Sequence, residues 1–155
     1  MLHKTHEFKT SLVWTGNRGT GTSGYREYGR EHDLSSPGKS AAIAASSSPV
    51  FRGNAERYNP EELLVAALSS CHMLAFLHLC ADAGVTVTAY TDDAEGAMEM
   101  NADGSGQMTD VVLHPNVTIE QQERAGELGH LHERAHELCF IARSVNFPVR
   151  CEPAS

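Results

Sequence analysis

The stretch that decides the fold is residues 58–84, YNPEELLVAALSSCHMLAFLHLCADAG, which predicts one long helix. Asn59 suits the N-cap, Pro60 the first helical position, and Gly84 the position just beyond the C-terminal end. Apolar residues between these signals cover nearly every face, which favours a helix buried on most sides. At about 1.5 Å per residue the helix would extend roughly 36 Å, the length of a small domain.

The chain has 155 residues, which predicts a single domain over residues 1–155. It carries 12 basic and 20 acidic residues and no basic run, which argues against nucleic-acid and anionic-membrane partners. The first ten residues lack the apolar core of a signal peptide, and we expect no apolar window of membrane-spanning length. A cytoplasmic protein is therefore expected, in which four cysteines are reduced thiols, a redox pair or metal ligands.

Alternation of polar and apolar residues predicts seven further elements as strands, and a helical repeat predicts a second helix. The strands are expected at 6–14, 25–34, 41–45, 85–90, 95–100, 108–119 and 147–152, and the helix at 120–145. Runs of strands separated by two helices favour an α+β fold over a doubly wound sheet, with an antiparallel meander after the first helix.

Two cysteines, Cys71 and Cys139, are expected inside the two helices. Each is either a small buried hydrophobe or a reactive thiol. A reactive thiolate needs a nearby cation. Arg18, in a glycine-rich turn, and Arg143, one turn beyond Cys139, are the candidates. Glu61 can orient an arginine through a bidentate pair or serve only as a carboxylate at the helix N-terminus.

Four features in this order carry a family resemblance: the turn TGNRGTGT, the helix opening NPEELL, its cysteine, and a second cysteine in AHELC. Over nearly the whole chain, the sequence resembles the OsmC/Ohr family, named for osmotically inducible protein C and organic hydroperoxide resistance protein. The resemblance implies an α+β, OsmC-like fold, with antiparallel sheets around a long buried central helix and a second C-terminal helix. It also implies an intertwined homodimer with its sites at the subunit interface.

The same resemblance implies a thiol-dependent peroxidase that reduces organic hydroperoxides without a cofactor and is recycled by a thiol reductant. Cys71 would attack the peroxide, and Cys139 would resolve the resulting sulfenic acid as a disulfide. Arg18 would stabilise the thiolate, and Glu61 would hold Arg18. Sulfenic acid formation followed by capture by a second thiol is also what thiol chemistry allows.

Two positions depart from the family pattern and change the rim of the site. An aromatic residue usually follows the first cysteine, where this chain has His72, and a proline usually follows the second, where it has Phe140. We expect His72 to be satisfied by core contacts, with a proton relay near the thiol as the alternative. Cys80 and Cys151 are assigned to structure.

Glu61 and Cys71 are too far apart to share one site within one straight helix. Ten residues place them roughly 15 Å apart along the axis and about 80° around it. Either the helix is broken, or Glu61 serves the cysteine of a second subunit.

Two rival functions rest on other features. HERAH, with His132, Glu133 and His136, matches the HExxH pattern of zinc hydrolases. Few residues follow it to supply a third ligand, so the expectation is a solvated helix face and no metal. The second rival is a non-catalytic dimeric protein that binds a small ligand in an apolar pocket between the helices.

Overall fold

In a computed structural model, which describes residues 3–154, the chain forms two compact units that divide between Pro60 and Glu61. The first unit contains a three-stranded antiparallel sheet. Its strands are β1 (Ser11–Trp14), β2 (His32–Ser35) and β3 (Ile43–Ala45), followed by a 3₁₀ turn at Pro49–Phe51. A single domain over residues 1–155 stays a prediction.

The second unit combines two α-helices with two small sheets. In chain order its elements are α1 (Pro60–Asp82, which starts at the boundary), β4 (Val87–Asp92), β5 (Glu95–Met100), β6 (Gly106–Leu113), β7 (Pro115–Ile119), a 3₁₀ helix (Gln122–Glu127), α2 (Leu128–Leu138), a 3₁₀ turn (Ala142–Ser144) and β8 (Val149–Cys151). Strands β4 and β7 pair antiparallel. Strands β5 and β6 form an antiparallel hairpin, and β8 joins β6 in parallel. The α+β prediction with two helices is confirmed.

The ends of α1 follow their sequence signals. Pro60 opens the helix, and Gly84 adopts a left-handed φ of 70° just after it. The N–H of Gly84 donates to the carbonyl of Ala81, and that of Val85 to the carbonyl of Cys80 at 2.8 Å. This pair of bonds is a Schellman motif, which glycine permits because it has no Cβ.

Only one stripe of α1 is buried, at every fourth residue: Leu68, His72, Phe76 and Cys80. The expectation of burial on most sides is therefore wrong for the chain by itself, since Leu74 is 60% exposed. The expectation of no membrane-spanning length is also wrong, because α1 is long and apolar enough to cross a membrane by length and composition. The buried stripe nevertheless packs into two apolar clusters, as a core helix does.

Two predicted elements are interrupted in the structure. The expected strand at 108–119 is two strands, and the chain turns between them at His114, whose N–H donates to the Asp92 carboxylate at 2.7 Å. The expected helix at 120–145 contains only an 11-residue α-helix. Cys139 follows it in extended backbone, with φ of −69° and ψ of 108°, so its placement inside a helix is wrong.

Candidate functional site

The thiols of Cys71 and Cys139 are brought together within the second unit. Cys71 lies half-buried in the middle of α1, and Cys139 is buried just after α2; both are reduced. Burial raises the pKa of the Cys139 thiol, the N–H of Ala142 lowers it by donating to Sγ at 3.4 Å, and a hydrogen bond with Cys71 raises it. The two thiols are thus close enough for Cys71 to affect the protonation of Cys139, and Cys71 is the more accessible of the two.

Glu61 occupies the first turn of α1, and its Oε2 atom is buried without a hydrogen-bond partner among residues 3–154. Because α1 runs unbroken from Pro60–Asp82, the broken-helix alternative is wrong. Glu61 and Cys71 of one chain are therefore roughly 15 Å apart along the axis. A buried carboxylate oxygen without a partner is costly, so Glu61 is suited to receive a cation.

Arg18 lies exposed in the loop after β1, in the first unit. The preceding Asn17 holds this loop as a turn, because its Oδ1 accepts the N–H groups of Gly19 and Gly21 at 2.9 and 3.0 Å. The roles of Arg18 and Glu61 toward Cys71 stay predictions.

A second cluster, not expected from the sequence, contains His72, His132 and Cys151. His72 Nε2 lies 3.0 Å from His132 Nδ1 and 3.5 Å from the Cys151 sulfur, and all three atoms lie within 4.8 Å of one another. His72 and His132 are 1% and 4% exposed. The expectation that the HERAH histidines lie on a solvated face is therefore wrong for His132, although His136 is exposed.

The environment keeps this cluster neutral at neutral pH. Burial lowers the pKa of His72 to about 4, with a smaller lowering from the charge of His136. Burial also lowers the pKa of His132 to about 4, assisted by His72. The pKa of Cys151 is raised to about 11 by burial and then by the Asp92 carboxylate. The two imidazoles and the thiol are thus uncharged.

Aromatic rings and a cavity border the cluster. The Phe76 ring stacks on His132 with centroids 4.0 Å apart. Among residues 3–154, the buried Nδ1 of His72 and the hydroxyl of Tyr90 have no hydrogen-bond partner. A cavity of about 510 Å³ is lined by seven residues that include His132, His136 and Cys151. The cluster is therefore apolar on one side and accessible on another.

One feature of the sequence could have indicated this cluster. His72 lies on the four-residue stripe with Leu68 and Phe76, and a histidine on a buried stripe requires a buried partner. The partners themselves lie 60 and 79 residues away, so no local pattern identifies them.

Comparisons with known proteins find this architecture in one protein family. The family model of OsmC-like proteins matches residues 53–153. The solved structure of an OsmC-like protein of unknown function from Vibrio cholerae O1 biovar eltor is 35% identical, covers 97% of this chain and 100% of its own, and has a TM-score of 0.87. No curated protein matches the sequence.

More distant structures share the fold. An organic hydroperoxide resistance protein from Elizabethkingia anophelis is 18% identical, covers 98% of this chain and 96% of its own, and has a TM-score of 0.69. The organic hydroperoxide resistance protein OhrB of Bacillus subtilis is 19% identical, covers 96% and 98%, and has a TM-score of 0.65. From the family match and the 35% identical relative, the chain belongs to the OsmC-like protein family.

Proposed function

We propose that the chain is a cytoplasmic thiol peroxidase that reduces organic hydroperoxides, with Cys71 as the attacking thiol and Cys139 as the resolving thiol. The observation that supports the proposal is the proximity of the two thiols, one on α1 and one just after α2, which is close enough for Cys71 to raise the pKa of Cys139. Proximity of two reduced thiols is the first requirement for a disulfide between them.

The proposed reaction has three steps. The Cys71 thiolate attacks the terminal peroxide oxygen, the O–O bond breaks, and the alkoxide leaves and takes a proton to become an alcohol. The Cys139 thiol then attacks the sulfur of the Cys71 sulfenic acid, which forms the disulfide and releases water. An external thiol reductant, oxidised to its own disulfide, returns both cysteines to thiols.

Access to the site favours Cys71 as the first nucleophile. The Cys71 side chain is half-buried, whereas Cys139 is 1% exposed and its pKa is raised by burial. Because the thiolate is the nucleophile, a thiol with a raised pKa is the poorer attacker and the better candidate for the later step. The neighbouring Phe140 ring is 80% exposed and can line the entrance for an apolar alkyl group.

The proposal includes a homodimer in which Arg18 and Glu61 complete the site. Much of the apolar surface of α1 is uncovered in one chain, and Leu74 is 60% exposed, which favours burial against a second copy. The buried, unpartnered Oε2 of Glu61 suits a bidentate arginine. Arg18 is the arginine that the family resemblance selects for holding the thiolate.

The names of the two hydroperoxide resistance proteins among the structural relatives support this chemistry over the rival, a non-catalytic protein that binds a small ligand.

Mass spectrometry after one equivalent of cumene hydroperoxide distinguishes the peroxidase from the non-catalytic binding protein. We expect a Cys71–Cys139 disulfide in the wild-type protein and a sulfenic acid on Cys71, trapped by dimedone, in Cys139→Ser. Cys80→Ser is the matched control because Cys80 lies in a separate apolar cluster. Peroxide consumption at the wild-type rate by Cys71→Ser would reject the assignment.

A further inference from the structure

We propose that His72 Nε2, His132 Nδ1 and Cys151 Sγ form a zinc-binding site, separate from the Cys71–Cys139 pair. The inference does not depend on peroxidase activity. It rests on three potential ligand atoms that α1, α2 and β8 bring within 4.8 Å of one another.

The spacing of the three atoms fits tetrahedral zinc. Zinc–nitrogen bonds of about 2.0–2.1 Å and a zinc–sulfur bond of about 2.3 Å imply separations of roughly 3.3 Å between two nitrogens and roughly 3.6 Å between nitrogen and sulfur. His72 Nε2 lies 3.0 Å from His132 Nδ1 and 3.5 Å from Cys151 Sγ. The distances are thus near those required, and zinc binding would need the two rings to move slightly apart and rotate so that both nitrogens face one ion.

The protons of the cluster can be accounted for. Without metal, the facing nitrogens of His72 and His132 share a hydrogen bond, which requires a proton on one of them. Zinc takes the place of that proton, and each neutral imidazole keeps its proton on the nitrogen turned away from the ion. Cys151 binds as thiolate, so one zinc ion entering the neutral cluster releases one proton to solvent.

The charge around the site also suits a cation. A zinc ion with one thiolate and two neutral imidazoles carries a net charge of about +1. The Asp92 carboxylate acts electrostatically on all three ligands and would balance that charge. Asp92 is held in place, since its two oxygens accept the hydroxyl of Ser69 at 2.5 Å and the N–H of His114 at 2.7 Å.

The three ligand atoms favour zinc over other metals and leave the fourth coordination position open. Two imidazoles and a thiolate suit zinc, whereas magnesium and calcium take oxygen ligands. His132 and Cys151 both line the cavity of about 510 Å³, so the fourth position faces it and takes a water molecule. Three protein ligands with an open fourth position is the arrangement of catalytic rather than structural zinc.

Metal binding tests the proposal: the full-length protein is purified without a histidine tag, stripped with chelator and incubated with excess zinc chloride. We expect one equivalent of zinc per chain by elemental analysis after gel filtration. We also expect cobalt(II), used as a spectroscopic probe, to give a thiolate-to-cobalt charge-transfer band. Cys151→Ser should abolish that band, and both Cys151→Ser and His132→Asn should weaken zinc binding by about tenfold or more.

Three variants serve as controls. His130→Asn changes an exposed histidine on the same helix, and Cys71→Ser and Cys139→Ser remove the thiols of the other site. All three should keep one equivalent of zinc and the cobalt band. Less than a tenth of an equivalent in folded wild-type protein would overturn the proposal. So would binding that survives Cys151→Ser but is lost in His136→Asn, because the ion would then belong to the HERAH pair alone.

Discussion

His72 Nε2 lies 3.0 Å from His132 Nδ1, although 60 residues separate the two histidines in the sequence. Their rings are nearly parallel, with 5° between the planes and 5.3 Å between the centroids. That geometry directs the two nitrogens toward each other, so at least one ring must be neutral to accept. The contact joins α1 to α2 and makes the packing of the second unit sensitive to protonation.

Acidification should destabilise the protein through this pair. The pKa of both rings is lowered to about 4, while an unfolded histidine titrates near 6.5. Between these values the unfolded chain binds more protons than the folded one, so the stability is present above pH 6.5 and is lost as the pH falls toward 4. After solvent screening we expect a loss of about 1–3 kcal/mol for the pair. Urea unfolding at pH 7, 6, 5 and 4.5 measures it.

His132→Asn should flatten that pH dependence, and His130→Asn should leave it unchanged. A wild-type free energy of unfolding that is constant from pH 7 to pH 5 would contradict the buried neutral pair.

Arg18→Ala should slow alkylation of Cys71 by iodoacetamide at pH 7 by about tenfold or more, because removing the cation disfavours the thiolate. The assay uses Cys139→Ser, Cys80→Ser and Cys151→Ser in the background, so that Cys71 is the thiol observed. Arg26→Ala, which removes another exposed arginine of the same unit, is the control. Equal rates in all three proteins would remove Arg18 from the mechanism.

Subunit mixing tests whether Glu61 acts across the dimer. Glu61→Ala should slow peroxide consumption less than Arg18→Ala, since it removes only the orienting group. In heterodimers of Glu61→Ala with Cys71→Ser, one site keeps both residues if they come from different chains. Peroxide consumption should then reappear on mixing, whereas no recovery in proven heterodimers contradicts the shared site.

The exposed apolar surface of α1 predicts a dimer contact at Leu74. Leu74→Arg should shift the protein toward monomer in light scattering, because an arginine in an apolar contact would be desolvated without a partner. Leu74→Met keeps volume and polarity and should remain dimeric. A dimer of unchanged affinity in Leu74→Arg would place the contact elsewhere.

Gly96 on β5 permits a close approach to α1. A Cβ at this position would lie 2.7 Å from Cγ2 of Val65 and 2.8 Å from Cε of Met108. Gly96→Ala should therefore lower the free energy of unfolding by about 1–3 kcal/mol, through forced displacement of the valine. Gly126→Ala, where a Cβ meets nothing within 4 Å, is the matched control for chemical denaturation.

The ends of α1 and the limits of β5 could be predicted because local signals decide them. Pro60 and Gly84 act through their own backbone conformations, and the turn residues NADGSG begin directly after Met100, where β5 ends. The division of the predicted strand at 108–119 depends on partners that are distant in the sequence: β8 pairs with β6, and β4 pairs with β7. α2 ends earlier than predicted because the backbone of Cys139 is extended, and no capping residue in the sequence marks that end.

The candidate site likewise has a part that the sequence predicts and a part that depends on contacts between distant residues. The family pattern in the sequence selected Cys71 and Cys139, and the structure brings these thiols together. His72, His132 and Cys151 lie on three separate elements, and their meeting depends on how α1, α2 and β8 pack. Sequence periodicity placed His72 in the core helix but could not supply its partner.

The buried stripe of α1 that contains His72 also determines the position of the helix along its axis. Leu68 packs into one apolar cluster and Phe76 into another, and His72 lies between them as a polar layer. If α1 slid along its axis by one turn, most of its apolar residues could occupy positions about four residues away at a modest cost in packing. His72 could not, because a buried imidazole moved away from His132 would lose its hydrogen bond inside the core. One polar contact thus fixes the register of a helix whose apolar residues alone would tolerate several.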